Sequence, residues 1–164
     1  MRFRIEQHFD APVETVEAAF IDPGYLEQLQ RLPKLGQPQL IHRVDAGDLV
    51  HLWVQHRFTG EVNAAVRRVV DPNRLTWVEE STLDRRTHRT TWRIVPDHYK
   101  NLLRAAGTFQ LEPEGTGTRR ETDAELKVSV PLVGGKVEQA IVSGLREHAE
   151  AEEQVVNDWL ATGP

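Results

Sequence analysis

Two ionisable residues four apart, His148 and Glu152, interrupt an otherwise apolar seam near the end of this chain. At helical spacing they are neighbours on one face, in the middle of a stripe formed by Val137, Ile141, Leu145, Val155 and Trp159. An imidazole beside a carboxylate can do general acid–base work, because histidine titrates near neutrality. A buried glutamate is costly unless paired or hydrogen-bonded. Either the two side chains satisfy each other or reach water, or they face a cavity and meet a ligand's polar end. A second set lies upstream, where Leu75, Trp77, Glu79, Ser81 and Leu83 share one strand face, continued by His88, Thr90, Trp92 and Ile94. Thr76, Glu80, Thr82, Arg89, Thr91 and Arg93 take the solvent side. Polar groups set in an aromatic wall describe a ligand pocket, and equally a sheet that is not fully covered. With a turn centred on Arg85-Arg86, Glu79 lies opposite Trp92, while His88 is expected in plain solvent.

Other chemistries find less support. His42 and His51 come out directly opposite in a hairpin turning at Ala46-Gly47, but no third ligand at metal-site spacing accompanies them. No metal and no cofactor is expected. Ser81, Ser129 and Ser143 lack a nucleophile-elbow context, and the chain contains no cysteine. Gly134-Gly135 and Gly115-Thr116-Gly117 lack the frame of a phosphate loop and read as chain reversals. A net charge of −5 over 164 residues argues against nucleic acid as a partner. The arginine pairs Arg67-Arg68, Arg85-Arg86 and Arg119-Arg120 sit in separate segments and read as solvated surface. No apolar run approaches a membrane span, so an integral membrane protein is not expected. With no apolar signal region after Met1, the expected location is cytoplasmic. Oligomeric state and protein partners leave no mark.

The elements that must position these residues follow from periodicity. Arg2 to Phe9 alternates, with Phe3, Ile5, Gln7 and Phe9 on the buried face. Asp10 is expected to cap a helix carrying Val13, Val16 and Phe20, with Pro12 in its first turn. Asp22 and Pro23 start a second helix with Leu26, Leu29 and Leu32 as its stripe. Hairpins follow at 39–58, 75–95 and 102–130, the last joined by residues 112–117; residues 62–70 are ambiguous, with Ala64, Ala65, Val66 and Val69 suiting a short helical turn. One amphipathic helix then runs from the Gly134-Gly135 pair to about Leu160, with Lys136, Gln139, Ser143, Arg146, Glu150 and Asn157 on its wet face. Such a helix needs a large apolar surface, and only the sheet can provide it. The expectation is a single α+β domain spanning residues 1–164, of order β-α-α-β-β-β-β-β-β-α.

That order resembles the START-like superfamily, also called SRPBCC, whose helix-grip fold is shared with the birch-pollen allergen. Phe9-Asp10-Ala11-Pro12-Val13-Glu14-Thr15-Val16, followed by Phe20-Ile21-Asp22-Pro23, looks like the superfamily's usual opening. Val130-Pro131-Leu132-Val133-Gly134-Gly135-Lys136-Val137-Glu138 and Arg74-Leu75-Thr76-Trp77-Val78-Glu79 look like one uncharacterised bacterial branch. The resemblance implies a curved sheet of about seven strands around the last helix. It also implies a cavity for a lipid, polyketide or aromatic metabolite. It carries over no catalytic residue. The binding candidates are His148, Glu152, Glu79, Trp77, Trp92, Trp53, Ser81, Ile141, Leu145 and Phe109. The reading is a carrier or sensor of a hydrophobic small molecule. The alternative is a cyclase or dehydratase using His148 with Glu152 or Glu79 as general acid–base, and a protein-interaction module is a third possibility.

Overall fold

The computed structural model describes residues 1–32, 36, 38–59, 64–68 and 70–163. In chain order the elements are β1 (Arg2–Phe9), α1 (Val13–Phe20), α2 (Pro23–Leu29), β2 (Gln39–Ala46), β3 (Leu49–Arg57), α3 (Ala64–Arg67), β4 (Thr76–Asp84), β5 (Arg89–Pro96), β6 (Leu103–Glu114), β7 (Gly117–Val128) and α4 (Gly134–Thr162). A 3-10 turn, Pro72–Arg74, precedes β4. All seven strands form one antiparallel sheet in the order β1-β7-β6-β5-β4-β3-β2, with α4 as the long helix it grips. The expected helical turn within 62–70 is α3; Val62 and Val69 lie outside the described residues. No described helix is long and apolar enough to cross a membrane.

Strand parity sets the inner face. In β1, Ile5, Gln7 and Phe9 are buried, and in β7 Thr118, Arg120, Thr122, Ala124, Leu126 and Val128 alternate inward. Helix α4 packs on β1, β7 and α2, while the middle strands stand away from it. The dense core is therefore at one end, where Phe9, Ala11, Val13, Val16, Leu111 and Val156 meet under Phe20, Tyr25 and Leu160. Phe20 stands edge-on to Phe9 (5.4 Å) and to Tyr25 (5.0 Å). Where the strands stand off, the interior is hollow.

Local differences from expectation have local causes. Helix α1 begins one residue after Pro12, which itself holds the cap position without a side-chain hydrogen bond. Asp10 instead donates its backbone N–H to Asn157 Oδ1 at 2.9 Å. Asn157 is consequently not on the wet face: with Glu153, which accepts the His8 N–H at 2.8 Å, it satisfies the outer edge of β1. Asp22 does cap α2, accepting the Gly24 N–H at 2.7 Å. The first hairpin turns at Gly47-Asp48, so His42 faces Trp53 and His51 faces Val44. Gly47 sits at φ 65°, a conformation Ala46 would resist, and that shifts the turn by one residue. The second hairpin has the four-residue connection Arg85–His88, so Glu79 pairs with Ile94 and Ser81 with Trp92. Because the pairing moved by two residues, both faces keep the expected side chains. His88 leaves the strand at φ 54° and bonds Glu17 Oε2 at 2.7 Å, so it is not a plain solvent residue. The third connection shrinks to a two-residue turn between Glu114 and Gly117, with Gly115 at φ 60°.

The glycine pair before α4 is asymmetric. A Cβ on Gly134 would fall 2.4 Å from the Val128 carbonyl oxygen, whereas Gly135 has open space around it. Gly134→Ala should therefore destabilise the protein by about 1–3 kcal/mol. Gly135→Ala should be neutral or stabilising by up to about 1 kcal/mol. Urea denaturation midpoints of the two variants decide this, and equal shifts would contradict the close approach.

Candidate functional site

The hollow end is a cavity of about 1050 Å³ between the sheet and α4. Its wall is mainly apolar, with Phe3 and Ile5 from β1, Leu26 and Leu29 from α2, Val50 and Leu52 from β3, and Ile94, Phe109 and Leu126 from β5 to β7. Helix α4 contributes Val137, Ile141, Leu145 and His148. The helix carries two adjacent seams. Val142, Ala149 and Val156 are buried in direct packing, and the seam beside them, with Ile141 and His148, faces the hollow. Leu145 keeps 37% exposure although it borders the cavity.

Of the sequence candidates, His148, Glu152, Glu79, Trp77, Trp92, Ser81, Ile141, Leu145 and Phe109 all border this cavity. Trp92 and Phe109 stack at 5.6 Å with planes 18° apart, and His56 stacks on Trp77 at 5.6 Å. Trp53 is the exception. Val50, Leu52, Val54 and His56 point inward from β3, so parity sends Trp53 to the opposite face, where its ring lies 5.2 Å from His42 and 6.3 Å from His51. His51 Nδ1 bonds Thr82 Oγ1 at 2.9 Å.

His148 and Glu152 do not serve each other. Glu152, 5% exposed, forms an ion pair with Arg120, 7% exposed, from β7. Gln7 from β1 braces both: its Oε1 accepts from Arg120 Nε (2.8 Å), and its Nε2 donates to Glu152 Oε2 (2.9 Å) and to the Ala149 carbonyl (2.7 Å). The Tyr25 hydroxyl donates to Glu152 Oε1. The guanidinium carbon lies 4.5, 5.1 and 5.6 Å from the ring centres of Phe20, Phe109 and Phe9. Burial opposes Glu152's charge, but Arg120 and the hydrogen bonds from Gln7 and Tyr25 hold its pKa below the ordinary value. Arg120 keeps its proton for the reciprocal reason: burial works against it and Glu152 outweighs burial. Burial, reinforced by Glu152's charge, pushes the Tyr25 phenol well above its ordinary range.

Glu79 has the opposite fate. Burial and then the Glu152 charge raise it to about 7, with Arg120 pulling the other way. No hydrogen-bond partner accompanies its carboxyl among the described residues. Burial lowers His56 to about 4, and repulsion from His148 adds to this. Burial also lowers His148, with Glu152 opposing the shift. Both imidazoles are thus neutral at pH 7. His56 Nδ1, His148 Nδ1 and Trp92 Nε1 are buried without hydrogen-bond partners among the described residues. The arrangement combines one fixed ion pair, one carboxyl poised near neutrality and unspent imidazole and indole nitrogens, all beside an apolar hollow.

Arg120, Gln7, Tyr25 and His56 were not among the sequence candidates. Gln7 already stood on the inward face of the first strand. Arg120 looks in sequence like half of a solvated pair with Arg119, yet strand neighbours point to opposite faces. Arg120 shares parity with Ala124, Leu126 and Val128, which was the available signal. His56 likewise shares parity with Val50 and Val54.

Removing one partner of the buried pair tests the junction. Glu152→Met or Arg120→Met alone leaves a buried charge unpaired and should cost about 3–5 kcal/mol, while the double substitution recovers most of that. Urea denaturation of the four-member cycle measures the coupling, and additive losses would contradict the pairing. Glu79, raised in the folded state from an ordinary 4.5 to about 7, binds a proton there that the unfolded chain has released. Its contribution to stability is present below pH 4.5 and lost as pH rises to 7. Glu79→Gln should remove that loss; His56 acts with opposite sign, so the difference between variant and wild type across about pH 4–8 is the diagnostic quantity.

Known proteins share this fold. A family model described as "Protein of unknown function (DUF2505)" matches residues 4–160. No curated protein matches the chain by sequence. Among solved structures, a protein from Thermus thermophilus superposes with a TM-score of 0.69 at 19% identity, covering 100% of both chains. Norcoclaurine synthase from Thalictrum flavum gives 0.62 at 20% identity, over 95% of this chain and 86% of that one. The Zhui aromatase/cyclase from Streptomyces sp. R1128 gives 0.56 at 10% identity, over 96% and 89%. At these identities the likeness is one of fold: a START-like, helix-grip chain.

Proposed function

The chain belongs to the DUF2505 family, and on that premise we propose that it binds a hydrophobic small molecule beneath α4, as a carrier or sensor. The observation that carries this is the cavity of about 1050 Å³, large and mainly apolar, with a few convergent polar groups. A lipid, polyketide or aromatic metabolite fits that chemistry. The apolar body would lie along Ile141, Leu145, Leu126 and the Trp92–Phe109 stack, and a polar end would meet Glu79, His148 and Trp92 Nε1. That end offers unpartnered imidazole and indole nitrogens beside Glu79, which at neutral pH is divided between carboxyl and carboxylate, and this favours a carbonyl or hydroxyl over a carboxylate. Solved neighbours described as norcoclaurine synthase and as an aromatase/cyclase show that the fold also carries catalysis.

Glu79 motivates a second reading, an acid–base enzyme of the cyclase or dehydratase kind. A carboxyl titrating near 7, with no hydrogen-bond partner among the described residues and lining the same cavity as the His148 imidazole, is suited to moving a proton at neutral pH. His148 would be its partner. Glu152 is spent on Arg120 and drops out of that role.

Tryptophan fluorescence tests the binding reading, because Trp77 and Trp92 stand on the wall. Titration with long-chain fatty alcohols and hydroxylated polycyclic aromatics should give a saturable change that Trp92→Phe diminishes and Trp53→Phe leaves intact. No saturable response to any member of the panel would sink it. If a bound member is also converted, Glu79→Gln should abolish turnover while binding persists.

A further inference from the structure

The connection between β7 and α4 presents an apolar side chain where packing gives no reason for one. Leu132 is fully exposed, at 103% of its reference area, and holds a left-handed backbone at φ 65°. An L-residue with a branched side chain resists that conformation, so neither burial nor local preference explains it. The neighbouring connection between β5 and β6 carries Tyr99 at φ 58°. The two connections are tied together where the Ser129 N–H donates to the Leu102 carbonyl at 2.8 Å. Both rim the cavity, through Tyr99 and Leu102 on one side and Val130 and Val133 on the other.

Charge around this tip runs against that of the molecule. The chain carries a net −5, yet three of its four lysines, Lys100, Lys127 and Lys136, gather here with Arg104, all exposed. Arg104 and Lys127 are directly opposite each other in the β6–β7 ladder, a like-charge pairing that costs stability. Lys127 is partly offset by Glu138 at 3.8 Å, which also accepts the Val128 N–H at 2.8 Å. Lys100, Arg104 and Lys136 have no ion-pair partner among the described residues. The nearby acid Asp97 is bonded to Gln55 Nε2 at 2.8 Å.

We propose that this end is a docking surface for an anionic lipid bilayer, with Leu132 inserting among the acyl chains and Lys100, Arg104, Lys127 and Lys136 holding the headgroups. One exposed leucine is a weak anchor, and so is a handful of cations; together they add apolar burial to attraction for anionic headgroups, the two contributions that set surface attachment to a membrane. Docking in this pose sets the rim of the cavity against the bilayer, the natural reservoir for an apolar ligand. The surface stands independently of whether the cavity's occupant is a lipid.

Cosedimentation of the full chain with phosphatidylcholine vesicles, with and without one-third phosphatidylglycerol, tests it. Binding should require the anionic lipid, weaken with salt and fall about tenfold in Leu132→Asn. Asparagine tolerates the left-handed backbone, so that variant should fold as well as wild type. Reversing Arg104 and Lys136 to glutamate should weaken binding by at least about fivefold for each residue. The absence of native cysteine allows Leu132→Cys to carry a single environment-sensitive dye, whose emission should shift to the blue only with anionic vesicles. The proposal is overturned if wild type ignores anionic vesicles at low salt, or if Leu132→Asn binds them equally well. It is also overturned if light scattering shows a dimer that Leu132→Asn disrupts while vesicles are not bound, since the occupant is then a second copy of the chain. Soluble-ligand titration of Leu132→Asn separates the two readings, because the cavity should respond unchanged whatever the vesicles do.

Discussion

A guanidinium buried among three phenylalanine rings is the constraint around which the molecule is arranged. Arg120 can be held there only if its charge is met; Glu152 from α4 and Gln7 from β1 meet it, and Tyr25 from α2 holds Glu152 in place. The pair is not a cheap source of stability, because taking two charges out of water offsets most of their attraction. Its value is geometric. Each partner comes from a different element, so the terminal helix, the first strand and the second helix must take one relative position to satisfy it. Phe9, Phe20 and Val156 pack tightly beside this junction.

Holding α4 at the β1–β7 side leaves the middle of the sheet uncovered. The strands carrying Trp77, Glu79, Ser81 and Trp92 curve away from the helix, and the space between becomes the cavity. The same ion pair also divides the labour of the two carboxylates. Glu152 is kept charged by Arg120, and its charge in turn helps to keep the unpartnered Glu79 protonated near neutrality. Environments that push two like groups apart in this way create an acid and a base from one residue type. The structural junction and the candidate chemistry are thus consecutive parts of one electrostatic arrangement.

The outer features answer to simpler demands. Asn157 and Glu153 occupy the backbone groups of His8 and the Asp10 N–H at the end of β1, shortening the edge that could pair with another chain. Their positions on α4 depend on the helix being seated by the ion pair. At the far end the exposed Leu132 with its cationic surroundings lies beside the opening instead of over a packed core.

Period and punctuation in the sequence determined the element order, the inward faces of β1 and of the second hairpin, the Asp22 cap, and the placing of His148 and Glu152 on an inward helix face. These are local properties, set by side-chain alternation and by turn residues. Pairing registers were less legible, because turn length rests on which residue accepts a positive φ: Gly47 took that role from Ala46, and His88 entered a turn. Parity alone could have turned Trp53 outward and Arg120 inward, but a tryptophan looks like wall and an arginine doublet looks like surface until burial is known. Only the tertiary structure decided that Glu152 meets Arg120 and not His148. A charge finds its partner through the packing of elements that lie far apart in the chain, with Gln7 of the first strand bracing a helix at the other end of it. No spacing within one helix encodes that meeting.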